Sequence, residues 1–170
     1  VLFRSKFLES ERLYLREISE ADLDLLFELH SDPEVMRFIR PPELTKEETA
    51  ATMERILRTN QYNRGLGLWI CHEKETNDFT GWFVLKNLDE TADIEIGYRL
   101  LKKHWGKGYA TEMTCVLMKH GFEKNKLHKI VGATHPDNLA SQHVLEKAGF
   151  TFARMERIKT IDARIYECIA

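Results

Sequence analysis

The stretch ADIEIGYRLLKKHWGKGYATE, Ala92 to Glu112, passes from strand to glycine loop to helix within 21 residues. Ile94, Ile96 and Tyr98 alternate with Glu95, Gly97 and Arg99, which predicts a strand over Ala92–Leu101 with one apolar face and Glu95 on the other. Gly106 and Gly108 follow, and a helical pattern carrying Met113, Val116, Leu117 and His120 runs from Ala110 to Lys124. Two glycines one residue apart let backbone approach an anion closely, and the free amides of the helix start point at it with the favourable end of the dipole. A diphosphate fits such a loop, although a plain turn has the same spelling. The GxxxxGK[ST] pattern of a nucleotide P-loop is absent, and so is the third glycine of the dinucleotide fingerprint. Arg99, Lys102, Lys103, His104 and Lys107 give this segment a basic character consistent with an anion site.

Toward the N-terminus, Leu13–Ile18 alternates as a strand, and Ser19 with Asp22 opens a helix whose stripe is Leu23, Leu26, Phe27 and His30. Asp32-Pro33 is expected to break it. Thr45 and Glu48 form a capping-box pattern ahead of a second helix with Met53, Ile56 and Leu57 inward. Gly67–Glu73 and Phe79–Lys86 read as a hairpin around Thr76-Asn77-Asp78. Toward the C-terminus, Lys129–Thr134 is a β-branched run fit for a central strand. His135-Pro136-Asp137-Asn138 is a turn, and Leu139–Ala148 is a helix stopped by Gly149. Phe150–Lys159 and Ile161–Cys168 close the chain as two strands. There is no repeat, linker or low-complexity segment, so residues 6–170 are expected to form one domain. Val1–Ser5, which open without a methionine, are set aside from the fold.

The 170 residues are 43% hydrophobic and 31% charged, the balance of a globular protein. Apolar runs such as Trp82–Leu85 are far too short to cross a bilayer, and 25 basic against 27 acidic residues provide no field for nucleic acid. Cys71, Cys115 and Cys168 are isolated, as reduced thiols of a cytoplasmic protein are, and the seven histidines show no zinc spacing. No metal and no membrane or nucleic-acid partner is therefore expected.

A second block, NLASQHVLEKAGF from Asn138 to Phe150, joins WGKGYATE. Together they resemble the GNAT acetyltransferase superfamily, and in particular its ribosomal-protein alanine N-acetyltransferase (Rim-type) branch, over about Leu8 to Glu167. The resemblance implies an α+β fold, a mixed, mostly antiparallel central sheet flanked by helices. It also implies acetyl-CoA as acyl donor and a primary amine as acceptor, either a protein N-terminus or a small molecule, with a homodimer allowed. Lys103 stands where the family's loop has Gln or Arg, while Gly106 and Gly108 match. The backbone of His104, Trp105, Gly106, Lys107, Gly108, Tyr109 and Ala110 would then cradle the CoA pyrophosphate. Tyr98, Arg99, Leu100 and Leu101 would pair with the pantetheine arm, and Asn138 would hold it from the other side.

An amide near Arg99 or Leu100 would be the oxyanion donor. Glu95 is the candidate base, unless it is a solvated or salt-bridged strand carboxylate. Many members place a Tyr four residues after the position of Ser141 to protonate the leaving thiolate; here Leu145 stands there. In the resembling branch a serine at the position of Ser141 is the usual candidate acid, unless its hydroxyl only serves the helix start. Asp32, Glu34, Glu43 and Glu47 fall in the region that lines the acceptor side in this family, which favours a cationic acceptor. A non-catalytic CoA-binding domain is the alternative.

Overall fold

The computed structural model describes residues 5–62, 65–89 and 91–170. Of the segment set aside at the N-terminus, residues 1–4 lie outside that description. In chain order the elements are β1 (Lys6–Glu9), β2 (Leu13–Glu17), α1 (Leu23–His30), α2 (Pro33–Met36), α3 (Lys46–Tyr62), β3 (Gly67–Glu73) and β4 (Phe79–Asn87). They continue with β5 (Ile94–Leu100), α4 (Tyr109–Glu123), β6 (Lys129–Thr134), α5 (Leu139–Lys147), β7 (Thr151–Ile158) and β8 (Ile161–Ile169). The strands form one 8-stranded sheet in the order β1-β2-β3-β4-β5-β6-β8-β7. Its pairs are antiparallel except β5 with β6, which the crossover through α4 makes parallel. This is the α+β architecture expected from the sequence.

Local chemistry sets the element ends. Thr45 Oγ accepts from the Glu48 amide at 3.2 Å and Glu48 returns a bond to the Thr45 amide at 3.3 Å, so α3 starts on a capping box. Ahead of α1 the chain first makes a 3₁₀ turn, Glu20–Asp22, whose Asp22 carboxylate accepts from the Ser19 amide at 2.8 Å and pairs with Arg16 at 2.8 Å. Asp32-Pro33 does more than end α1. Asp32 caps α2 by accepting from the Glu34 amide at 2.8 Å, with Pro33 in the first helical position where its missing N–H costs nothing. The four-residue β1 was not foreseen, being too short for alternation to show; it is held by Phe7, stacked on Trp69 with centroids 4.4 Å apart.

Both faces of the sheet are covered. Leu13, Leu15, Phe83, Leu85 and Ile96 pack against Met113 and Leu117 of α4, and Leu145 of α5 joins the same cluster. Met113 and Leu117 are fully buried, and truncating either to alanine would cost on the order of 2–5 kcal/mol. On the opposite face Leu68, Ile70, Trp82 and Val84 pack against Leu26 and Leu29 of α1 and Met53 of α3.

The feature that positions the site lies at the centre of the sheet. β5 and β6 share a single registered pair, Glu95 with Val131. No further pair is registered toward the C-terminal ends of these two strands, which leaves a gap in the ladder of the sheet. Among the described residues no helix is long and apolar enough to cross a membrane.

Candidate active site

One wall of the gap is the backbone of β5. The Leu101 amide donates to Thr80 of the β4 side at 2.9 Å, and a Cβ added at Gly81 would lie 2.0 Å from the Arg99 carbonyl. Strand polar groups alternate in direction, so the Leu100 amide and both polar groups of Tyr98 face the gap. This separates the two expected oxyanion donors: the Arg99 amide faces β4, while the Leu100 amide faces the open side. Trp105 takes the Leu100 carbonyl with its indole N–H at 2.8 Å and thereby folds the loop back on the strand.

At the end of β5 the chain makes a 3₁₀ turn, Lys102–His104, and reaches the glycine pair. Gly106 has φ +73° and Gly108 φ +79°, the left-handed region that glycine enters freely. A Cβ at Gly106 would meet nothing within 4 Å, so the backbone there lies open to a ligand. Gly108 is the N-cap of the 15-residue α4, and the first-turn amides of a helix have no intrahelical partner.

Positive charge reaches this loop from an unexpected place. The Arg12 guanidinium lies 4.6 Å from the Tyr109 ring centroid and 3.4 Å from a Cβ built on Gly108. It is fixed by Glu112, which also accepts from the Ser10 hydroxyl at 2.6 Å and the Arg12 amide at 2.8 Å. Arg12 is nearly a hundred positions from the loop, and nothing local in the sequence marks it. The basic cluster itself divides. Lys102 pairs with Glu34 at 2.6 Å, Arg99 points to the α1 and α3 face, and Lys103 and Lys107 remain exposed.

Across the gap, Asn138 Oδ1 caps α5 by accepting from the Ser141 amide at 3.1 Å. The Ser141 hydroxyl in turn lies 3.5 Å from the Tyr98 hydroxyl. Burial raises the Tyr98 pKa, opposed by the bond to Ser141, so the phenol stays protonated and can donate. Leu145 is core: a Cβ at Gly132 of β6 would meet its methyl at 2.6 Å. Glu95 sits where β5 and β6 meet, and its carboxylate lies 2.7 Å from the Lys86 ammonium. Burial raises its pKa, and the Lys86 charge opposes the rise. The structure therefore joins Ser141 to Tyr98 and ties Glu95 to Lys86.

A family model described as an acetyltransferase (GNAT) domain matches residues 12–151. The chain belongs to this family. It is 31% identical over 163 residues to uncharacterized protein YkkB of Bacillus subtilis (strain 168), covering 94% of each chain. A GNAT-family acetyltransferase of Bacillus anthracis is 26% identical, with a TM-score of 0.80 over 95% of this chain and 97% of that one. The ribosomal L7/L12 alpha-N-protein acetyltransferase RimL, solved with coenzyme A, shares the fold at 21% identity, with a TM-score of 0.81 over 97% and 98% of the two chains. The Rim-type branch stands as a resemblance within the GNAT family.

Behind the gap, on the α1 and α3 face, this GNAT domain holds a buried polar network that sequence reasoning missed. Glu43 is bound by Thr49 at 2.6 Å, Thr52 at 2.7 Å, His30 at 3.2 Å and the Arg40 guanidinium. His30 Nε2 accepts from the Trp82 indole at 3.1 Å, which leaves the proton on Nδ1 to donate to Glu43. Three of the four acidic residues expected to favour a cationic acceptor are thus engaged, Glu43 here, Glu34 with Lys102 and Asp32 as a helix cap, while Glu47 is exposed on α3.

The network makes stability depend on pH. Burial, with help from the Arg99 charge, pushes the His30 pKa from 6.5 down to about 4. Burial alone would raise the Glu43 carboxyl, but hydrogen bonds from Thr49, Thr52 and Arg40 outweigh it and bring it from 4.5 to about 2. Both groups bind protons more readily when unfolded, so their contribution is complete above the unfolded values and lost on acidification. We expect urea-unfolding stability to fall by a few kcal/mol as the pH drops from about 6.5 to about 4, and further below that as Glu43 is protonated. A Glu43→Gln variant that retained the full acid sensitivity would contradict this assignment.

Proposed function

We propose that this chain transfers an acetyl group from acetyl-CoA to a primary amine by direct attack in a ternary complex. The observation that carries the reading is the gap beyond the Glu95–Val131 pair. It has the positive-φ glycine loop at one end and the Tyr98–Ser141 hydroxyl pair across it.

The CoA diphosphate would rest on backbone from His104 to Ala110, with Lys103, Lys107 and Arg12 supplying charge. The pantetheine arm would pair with the polar groups of Tyr98 and the Leu100 amide, as an added strand does, since those of Arg99 and Leu101 are turned to β4 and the loop, and it would pass Asn138 on the far side. The thioester carbonyl then meets the Leu100 amide. The free amine attacks the carbonyl carbon, Glu95 accepts the amine proton through water, and the Leu100 amide stabilises the oxyanion. Collapse breaks the carbon–sulfur bond, and Ser141, backed by Tyr98, protonates the departing thiolate. Holding amine and thioester together supplies much of the rate without further chemistry.

The tie between Glu95 and Lys86 favours a second reading, a CoA-binding domain without turnover. Measuring CoA-thiol release with a panel of amines separates the two, since a binding domain would be stabilised by acetyl-CoA and release no thiol. Within the active enzyme, Ser141→Ala and Tyr98→Phe should each lower kcat more than they raise the acetyl-CoA KM, by roughly ten-fold or more. Wild-type kcat in both, with chemistry rate-limiting, would return Ser141 to the helix cap. Asn138→Ala should instead cost about 1 kcal/mol of stability and weaken acetyl-CoA binding.

A further inference from the structure

The acetyl-transfer reading leaves open what the acceptor carries besides its amine, and the inference that follows rests on that reading. Arg99 stands opposite Trp82 of β4, with its guanidinium 4.7 Å from the Trp82 ring centroid. Its Nε is closed off from solvent and makes no hydrogen bond to the described residues. The Arg40 guanidinium is near enough to depress the Arg99 pKa, which burial foremost brings down to about 9. Glu43 faces both cations, yet its oxygens already serve Arg40, His30, Thr49 and Thr52. With His30 neutral, two guanidinium charges meet one carboxylate, Glu43, among the described residues, so positive charge is in excess there. A half-buried charge with a closed-off, unbonded Nε is improved by a ligand that completes it.

Arg40 joins this pair of cations to a cavity with matching chemistry. Arg40, 40% exposed at its side chain, lines a cavity of about 400 Å³ together with Arg37, Phe38, His135 and Ile161. No Asp or Glu is among the described residues that line it. His135 directly follows β6, so the cavity reaches the C-terminal end of the strand that bounds the gap. A guanidinium fork is suited to a carboxylate, and the volume suits a small molecule.

We propose that the acceptor is a small amino-acid-like molecule whose carboxylate binds Arg99 and Arg40 while its amine enters the gap between β5 and β6. Phe38 and Ile161 give its side chain an apolar wall.

The test compares α-amino acids with their α-amides as acceptors in the CoA-thiol release assay, with acetylated product identified by mass. The amide keeps size and amine and removes the negative charge. Its amine is also the less basic, so a preference for the acid cannot come from a larger free-amine fraction. For the amino acids that are acetylated, kcat/KM should exceed that of the amide by at least about ten-fold, the usual worth of a charge-assisted pair. Arg99→Met, which keeps a side chain on Trp82, should remove most of that preference through KM, and Arg99→Lys should restore part of it. Amides used as well as acids, or an equal loss for both in Arg99→Met, would overturn the proposal. Acetyl-CoA binding without thiol release for any amine would instead overturn the acetyl-transfer reading beneath it.

Discussion

Gly108→Asp should raise the acetyl-CoA dissociation constant by roughly a hundred-fold while the protein stays folded, because juxtaposed like charges cost several kcal/mol. Gly108 caps α4 at φ +79°, and its position faces the Arg12 guanidinium at 3.4 Å. A carboxylate placed there opposes the diphosphate and claims the Arg12 charge for itself. The fold should survive, since Asp and Asn tolerate the left-handed region better than other side chains, at a cost of about 1–3 kcal/mol. Gly108→Asn is the control, with the same backbone strain and size but no charge. It should bind acetyl-CoA far more tightly than the Asp variant. Equal affinities in the two, or undiminished affinity in Gly108→Asp, would remove the anion cradle from this loop.

The second large effect concerns turnover. Glu95→Gln keeps the shape of the side chain and loses the base, and it should cut kcat/KM for the amine by ten-fold to a thousand-fold at neutral pH. Acetyl-CoA binding should hardly change, because the proposed cradle lies in backbone further along. Burial raises the Glu95 pKa and Lys86 opposes the rise, so the competent carboxylate forms as pH increases through that shifted value. The wild-type profile should therefore climb with pH along a limb that contains both Glu95 and the amine itself. The deficit of the variant should shrink as the pH nears the amine's own pKa, where free amine needs no help. Wild-type rates for Glu95→Gln at every pH would leave Glu95 as a strand carboxylate paired with Lys86.

The sequence carried the fold well where a few adjacent residues determine it. The glycine loop is one such place, because only glycine sits readily at the two positive φ values ahead of α4. The capping box of α3 and the alternation of β5 are others. What escaped were arrangements made by residues distant in the chain. β1 is four residues long and is recognisable by the Phe7–Trp69 stack it makes across the fold. His30, Glu43 and Trp82 meet only once α1, α3 and β4 are packed, and that meeting decides that Glu43 is committed inward. Arg12 reaches the loop through Glu112. Ser141 was legible as a candidate from its motif, but its Tyr98 partner was not, because Tyr98 reads as an apolar-face residue of the strand. The break in pairing between β5 and β6 beyond Glu95 and Val131 has no sequence signal, because it is a relation between two distant backbones.

The central claim is most directly tested by following acetyl-CoA, free CoA thiol and acetylated amine together in one reaction, using the amine that gives the fastest thiol release. Transfer in a ternary complex predicts one acetylated amine for each thiol freed, no thiol release before amine is added, and no acetyl group on the protein. Thiol release without acetylated amine, or an acetylated protein that forms from acetyl-CoA alone and passes its acetyl group to the amine, would contradict it.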